Sequence, residues 1–69
     1  MDITIGFVNF YDPVKGFGFI RREKGRDLIF SHSDIVNNLD VIDLPKGTKV
    51  SFNIVKTPKG HRAIDISLI

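Results

Sequence analysis

The stretch Lys15-Gly16-Phe17-Gly18-Phe19-Ile20 sets two aromatic rings two residues apart behind a single cation. Side chains on a strand alternate between faces, so Phe17, Phe19 and Arg21 project together while Gly16, Gly18, Ile20 and Arg22 turn the other way. Glycine weakens a strand and gives up packing, so the pair at Gly16 and Gly18 points to a place where another molecule approaches the sheet closely. The competing arrangement, a hairpin with both phenylalanines in the core, leaves Ile20 alone facing water and draws Arg21 inside, where an unpaired charge is costly. Outward rings beside a cation make a surface suited to stacking bases.

Working outward from that strand, the chain shows alternation, β-branched residues and turn punctuation at short spacing, and little helical periodicity. Strands are expected at Ile3 to Tyr11, Gly16 to Arg22, Leu28 to His32, Lys49 to Lys56 and Arg62 to Leu68. Asp12 and Pro13 mark the first turn, because proline presets the backbone and aspartate favours turn entry; Lys24 and Gly25 mark the second. In the fourth strand Val50, Phe52 and Ile54 share a face opposite Lys49, Ser51 and Asn53. In the fifth, Ile64, Ile66 and Leu68 alternate with Ala63, Asp65 and Ser67. Ser33 or Asp34 can cap one short helical turn through Val36 that Asn37 and Asn38 end. Five short strands with one long third-to-fourth connection predict a small closed barrel, since closure removes exposed edges.

The 69 residues are expected to make a single domain, residues 1–69, near the size at which one core barely offsets chain entropy. There is no cysteine, hence no disulfide framework or thiolate metal site, and a reducing cytoplasm fits. Neither a signal peptide nor a run long enough to span a bilayer is evident. The net charge is only +2, but it is segregated. Lys15 to Arg26 holds five basic residues against Glu23, and Lys46 to Arg62 holds Lys46, Lys49, Lys56, Lys59 and Arg62 with no acid. Asp34, Asp40 and Asp43 lie between them. Blocks of positive charge beside aromatics fit a polyanionic partner better than solubility alone. Arg26, Lys24 and Lys46 read as solvated charges.

Lys15 to Ile20 resembles the first ribonucleoprotein motif, basic-Gly-aromatic-Gly/Ala-aromatic followed by an apolar residue. With Gly6 to Tyr11 as the opening strand and Val50-Ser51-Phe52 in the fourth, the whole chain resembles a bacterial cold-shock protein. The resemblance implies an all-β, five-stranded antiparallel OB-fold barrel that binds single-stranded RNA or DNA. In an RNA-recognition motif domain the second motif precedes the first and two helices are required, which this chain has no room for. The family's second motif, Phe-x-His, fits in two registers. One insertion in the second turn aligns Phe30 and His32 with it and then runs without a gap to Gly47, Val50 and Gly60; placing Ile29 and Ser31 there demands a compensating insertion later. The first register is taken. It faces Phe30 and His32 toward Phe17 and Phe19, and sends Ile29 to the core.

The resemblance implies that Phe10, Phe17, Phe19, Phe30 and His32 stack bases, and that Lys15, Arg21, Lys59 and Arg62 contact phosphate or sugar. Phe10 replaces the customary tryptophan and Tyr11 the usual phenylalanine. Simple alternation puts Phe10 on the side of Val8, so its place on the face requires a bend in the first strand. Ser33 and Val41 stand where the family often has aromatics, Asn9 where a lysine is common, and Asp12 where an asparagine is usual. Each lost ring should weaken binding by about 1 to 3 kcal/mol per base.

The expected activity is that of an RNA chaperone that stacks unpaired bases and disfavours base-paired structure, without cofactor, metal, small-molecule substrate or membrane. A protein-interaction barrel with weakened nucleic-acid binding is the alternative, and a ribosome-associated RNA-binding factor a nearer one. An enzyme is not expected: His32 and His61 have no spacing that defines acid-base geometry, and two histidines without cysteine or acids at ligand spacing make no metal site. A monomer is compatible with the sequence, as is a dimer that exchanges strands through the loop after Val36.

Overall fold

Asp12 ends the first strand by turning its carboxylate back on the chain: Oδ1 accepts the N–H groups of Val14 and Lys15 at 3.0 and 3.2 Å, and Gly16 donates to the Asp12 carbonyl at 2.7 Å. Gly16, at φ 73°, closes this turn in a region that favours glycine. The computed structural model describes residues 4–36 and 43–69. Its strands are β1 (Thr4–Asp12), β2 (Phe17–Arg22), β3 (Leu28–Ser31), β4 (Lys49–Thr57) and β5 (Gly60–Leu68), each within two residues of the expected bounds. Ile3, Asn37, Asn38 and Val41 lie outside the described residues. No helix among the described residues is long and apolar enough to cross a membrane.

The strands close into a barrel in the order β1-β2-β3-β5-β4. The β1–β2, β1–β4, β2–β3 and β4–β5 ladders are antiparallel. The β3–β5 closure is parallel, through Ile29 opposite Arg62, and is extended by a bridge between Ile35 and Ile66. Val8, Ile20, Leu28, Phe30, Val50, Phe52, Ala63 and Ile66 fill the interior, with Tyr11, Ile35 and Leu44 also buried. Burying each large side chain contributes about 1.5–3 kcal/mol.

Two irregularities aim the side chains. In β1, Val8 pairs with Ile20 and Phe10 with Phe19, so Asn9 is an extra residue that turns Phe10 from the interior to the surface. This is the bend that Phe10 requires. In β5, Ser51 opposes Ser67 while Asn53 opposes Ile64, and Asp65 takes φ 51°. The bulge breaks the expected alternation: Ala63 and Ile66 are buried, Ile64 is half-buried and Leu68 is exposed. The short helical turn also differs. It is a 3₁₀ turn over His32–Asp34 capped by Ser31, whose backbone N–H and hydroxyl both donate to Asp34 Oδ2 at 2.9 and 3.0 Å.

The largest correction concerns β3. Gly18 pairs with Phe30 and Phe19 with Ile29, and residues directly opposite share a face, so Phe30 points inward with Gly18 and Ile29 outward with Phe19. Phe30 is 0% exposed and Ile29 46% exposed. The glycine is there for the ring. A Cβ on Gly18 would lie 2.8 Å from Phe30 Cζ and 2.3 Å from the carbonyl oxygen of Phe10. Tyr11, opposite Gly18 on the other side, stacks on Phe30 with centroids 5.7 Å apart and planes 10° from parallel. Gly18 thus makes room inside the barrel rather than for a visiting molecule.

Phe30→Ala should cost about 3–5 kcal/mol, most of the stability expected of so small a domain. Gly18→Ala should cost about 1–3 kcal/mol through overpacking against backbone. Urea and thermal melts followed by far-UV circular dichroism read both losses, and an unchanged Phe30→Ala midpoint would contradict the inward ring.

Candidate nucleic-acid interface

The outward residues of β1 and β2 form a ladder of side chains. Asp12 faces Phe17, Phe10 faces Phe19 and Phe7 faces Arg21. Because Asn9 bulges, Phe10 leans into the two rings of β2: its centroid lies 6.1 Å from that of Phe17 and 6.4 Å from that of Phe19. Phe17 and Phe19 meet edge to face at 6.0 Å and 87°. Edge-on and tilted contacts keep ring faces available while fixing the rings against each other. Phe10 remains 47% exposed. Three aromatic rings held together on the outside of a barrel are a costly arrangement for a surface with no ligand.

The β3 side continues this face with different chemistry. Ile29 lies beside Phe19, and Ser31 beside Phe17. The sequence reading put Phe30 here and Ile29 inside; the structure reverses them. The signal was present, since Leu28 and Phe30 are two large apolar residues with a period of two, and the register that turned Phe30 outward would have taken Leu28 out with it. His32 is carried by the 3₁₀ turn instead of the strand. Its N–H donates to the Gly16 carbonyl at 2.8 Å, which holds the residue, half-buried, against the β1–β2 turn next to Phe17.

The cations divide into three kinds. Lys15 is exposed in the β1–β2 turn at one end of the ring cluster. Arg21 follows Phe19 on the same face, its side chain 67% exposed, with Nε 3.6 Å from Asp27 Oδ1. That contact is weakened by solvent. Asn9 donates to the other oxygen of Asp27 at 2.7 Å, tying the β1 bulge to the β2–β3 turn. Lys59 sits away from the rings, in a cleft of about 310 Å³ lined by Arg22, Arg26, Asp27, Leu28, Gly60 and His61 as well. Arg62 is engaged: its guanidinium forms an ion pair with Asp34 Oδ2 and donates to Ser31 Oγ at 3.3 Å. It is a brace across the β3–β5 closure before it is a free cation, which alters its expected role. Among the described residues no group of three or more His, Asp or Glu is placed to hold a metal ion.

The sequence model of the family described as the "'Cold-shock' DNA-binding domain" matches residues 4–69. The chain belongs to the cold-shock domain family. It is similar to the Retron Se72 cold shock-like protein of Salmonella heidelberg, with 50% identity over 64 residues that cover 93% of this chain and 96% of the relative. The major cold shock protein CspA of Pseudomonas aeruginosa is 38% identical over 93% of this chain and 91% of its own length. The cold shock-like protein CspA of Stigmatella aurantiaca is 34% identical over 97% and 98%. The family is a nucleic-acid-binding one, with a single-stranded partner, and is not one of enzymes.

The Asp34 brace sets a pH dependence. Burial by itself would push the Asp34 carboxyl up, but the donated bonds from the Ser31 N–H, Arg62 and the Ser31 hydroxyl, with the Arg62 charge, hold it below its ordinary value of 3.8. A carboxyl lowered by folding stabilises the native state above the unfolded value and loses that contribution as pH falls through the folded one. Asp34→Asn should therefore cost about 1–3 kcal/mol at neutral pH and flatten the loss of stability below about pH 4. Urea denaturation of parent and variant across that range measures both effects; parallel curves would contradict the brace.

Proposed function

We propose that this cold-shock domain acts as a cytoplasmic RNA chaperone, holding unpaired bases of single-stranded RNA or DNA on the face built by Phe10, Phe17 and Phe19. The observation that carries the reading is the exposed three-ring cluster, tightened by the Asn9 bulge. Every base has a π face, so stacking tolerates sequence, and trapping the unpaired state disfavours hairpins by mass action without nucleotide hydrolysis. His32 extends the stacking face past Phe17. Lys15 and Arg21, at the two ends of the cluster, meet the backbone phosphates. Lys59 contributes to the field from its own cleft, and Arg62 reaches ligand only through what its bond to Asp34 leaves free. Ile29 offers the apolar edge of a strand residue where a ring would offer a plane, so the β3 side contributes contact area more than stacking.

A second reading, a barrel specialised for protein contact, is favoured by Ile29, which stands beside Phe19 on the face where an aromatic ring would serve stacking. The two separate cleanly. Fluorescence anisotropy of labelled oligouridine and oligothymidine should show binding by the parent, and Phe17→Ala and Phe10→Ala should each weaken it by about five- to a hundredfold. Log affinity should fall with log salt at about −0.7 per phosphate neutralised. Unchanged affinity in both variants, or none in the parent at low salt, would favour protein contact.

A further inference from the structure

Phe7 is 49% exposed in the middle of a strand, and neither the ring cluster nor the core uses it. Its outward direction follows from parity, because Gly6 and Val8 on either side are buried. Phe7 pairs with Arg21 on β2 and with Lys49 on β4, so a ring stands between two cations on neighbouring strands. With Ile5 it walls an open groove of about 440 Å³, whose other lining residues are Gly6, Arg21, Arg22 and Glu23. Arg21 and Arg22 against Glu23 in the lining, with Lys49 beside Phe7 on β4 and Asp27 near Arg21, leave the groove's surroundings positive by one charge, and an apolar floor under a positive rim matches a base with its phosphate.

The place of Phe7 in the ladder gives the groove its occupant. The Phe7–Arg21 row is the next outward row after Phe10–Phe19, on the same two strands, with the inward Val8–Ile20 pair and the Asn9 bulge between them. On β2 the step from Phe19 to Arg21 is two residues, about 7 Å, a distance that one nucleotide of an extended strand can follow. Arg21 faces both rows, since it pairs with Phe7 and follows Phe19 on β2.

We propose that Phe7 is the floor of an additional nucleotide subsite, with Arg21 and Lys49 on its phosphates, which lengthens the single-stranded segment the barrel holds. This rests on the proposed stacking face and extends it along β1. The subsite takes a base of either sugar type, because ring stacking reads neither the 2′-hydroxyl nor the base edge.

The test compares parent and Phe7→Ser in anisotropy titrations with labelled oligothymidines of about four and about ten nucleotides, lengths within the site sizes of such barrels. Phe7→Ser should bind the longer strand about tenfold more weakly and the shorter one equally well. Parent binding with no effect of Phe7→Ser at either length overturns the subsite and leaves the ring cluster standing; equal loss at both lengths overturns it too, by placing Phe7 within the first site. No binding by the parent at either length overturns both readings. The chain has no tryptophan, so Phe7→Trp adds a local probe. Its emission should change on binding the long strand and not the short one, and a constant emission in a saturated long complex counts against the subsite. Sedimentation equilibrium closes the remaining route: a parent dimer that Phe7→Ser dissolves, with oligonucleotide affinity unchanged, would assign the groove to a second copy of the chain.

Discussion

The ring of Phe30 against the bare backbone of Gly18 fixes which way β3 faces, and much of the outer surface follows from it. No other residue fits at 18, since a Cβ there would collide with both the ring and the Phe10 carbonyl. Tyr11 covers the ring from β1 in a parallel stack, so three strands meet at one contact. A one-residue slip of β3 would exchange Phe30 for Ile29 inside and leave a void beside the glycine. Burial, and the charges of Asp43 and Asp12, also raise the Tyr11 phenol above its ordinary value. The phenol is therefore neutral in the folded state throughout the ordinary range, and the stability it supports declines only as pH rises past about 10 toward the folded value.

Much of the barrel was legible in the chain because its signals are local. Asp12-Pro13, Lys24-Gly25 and the alternation of Val50 and Phe52 each act through neighbours in sequence, and the strands lie within two residues of where they point. What local patterning does not carry is a bulge. The Asp65 bulge shifts the inward set of β5 from Ile64, Ile66 and Leu68 to Ala63 and Ile66, because the chain must turn at φ 51° to keep pairing with β4. Nothing in Ile64-Asp65-Ile66 marks that turn; aspartate tolerates it but does not demand it. The β1 bulge at Asn9 was legible only through the family resemblance, which required Phe10 on the outside.

The candidate face divides the same way. Phe17, Phe19 and Arg21 follow from parity within one strand, and the structure sets them together on the surface with Phe10. Phe30 was misassigned because its direction depends on pairing across strands, where a choice of alignment in the second turn outweighed the volume pattern of Leu28 and Phe30. Phe7 lies outside the motif, yet simple alternation with Gly6 and Val8 already exposes its ring.

Closing the barrel and equipping its face draw on the same residues. The parallel β3–β5 contact is brief, and the Ser31–Asp34–Arg62 cluster reinforces it with bonds of charged groups in a partly buried place, where each counts for more than on open surface. Those bonds occupy the Asp34 carboxylate, the Ser31 hydroxyl and the Arg62 guanidinium, polar groups next to His32 that would otherwise be available to read base edges. On the proposed function, recognition then shifts toward the β1–β2 half, where rings and flexible cations dominate. Stacking with backbone contact discriminates little among bases. A protein that must hold many different unpaired sequences loses nothing by committing its polar side chains to the seam.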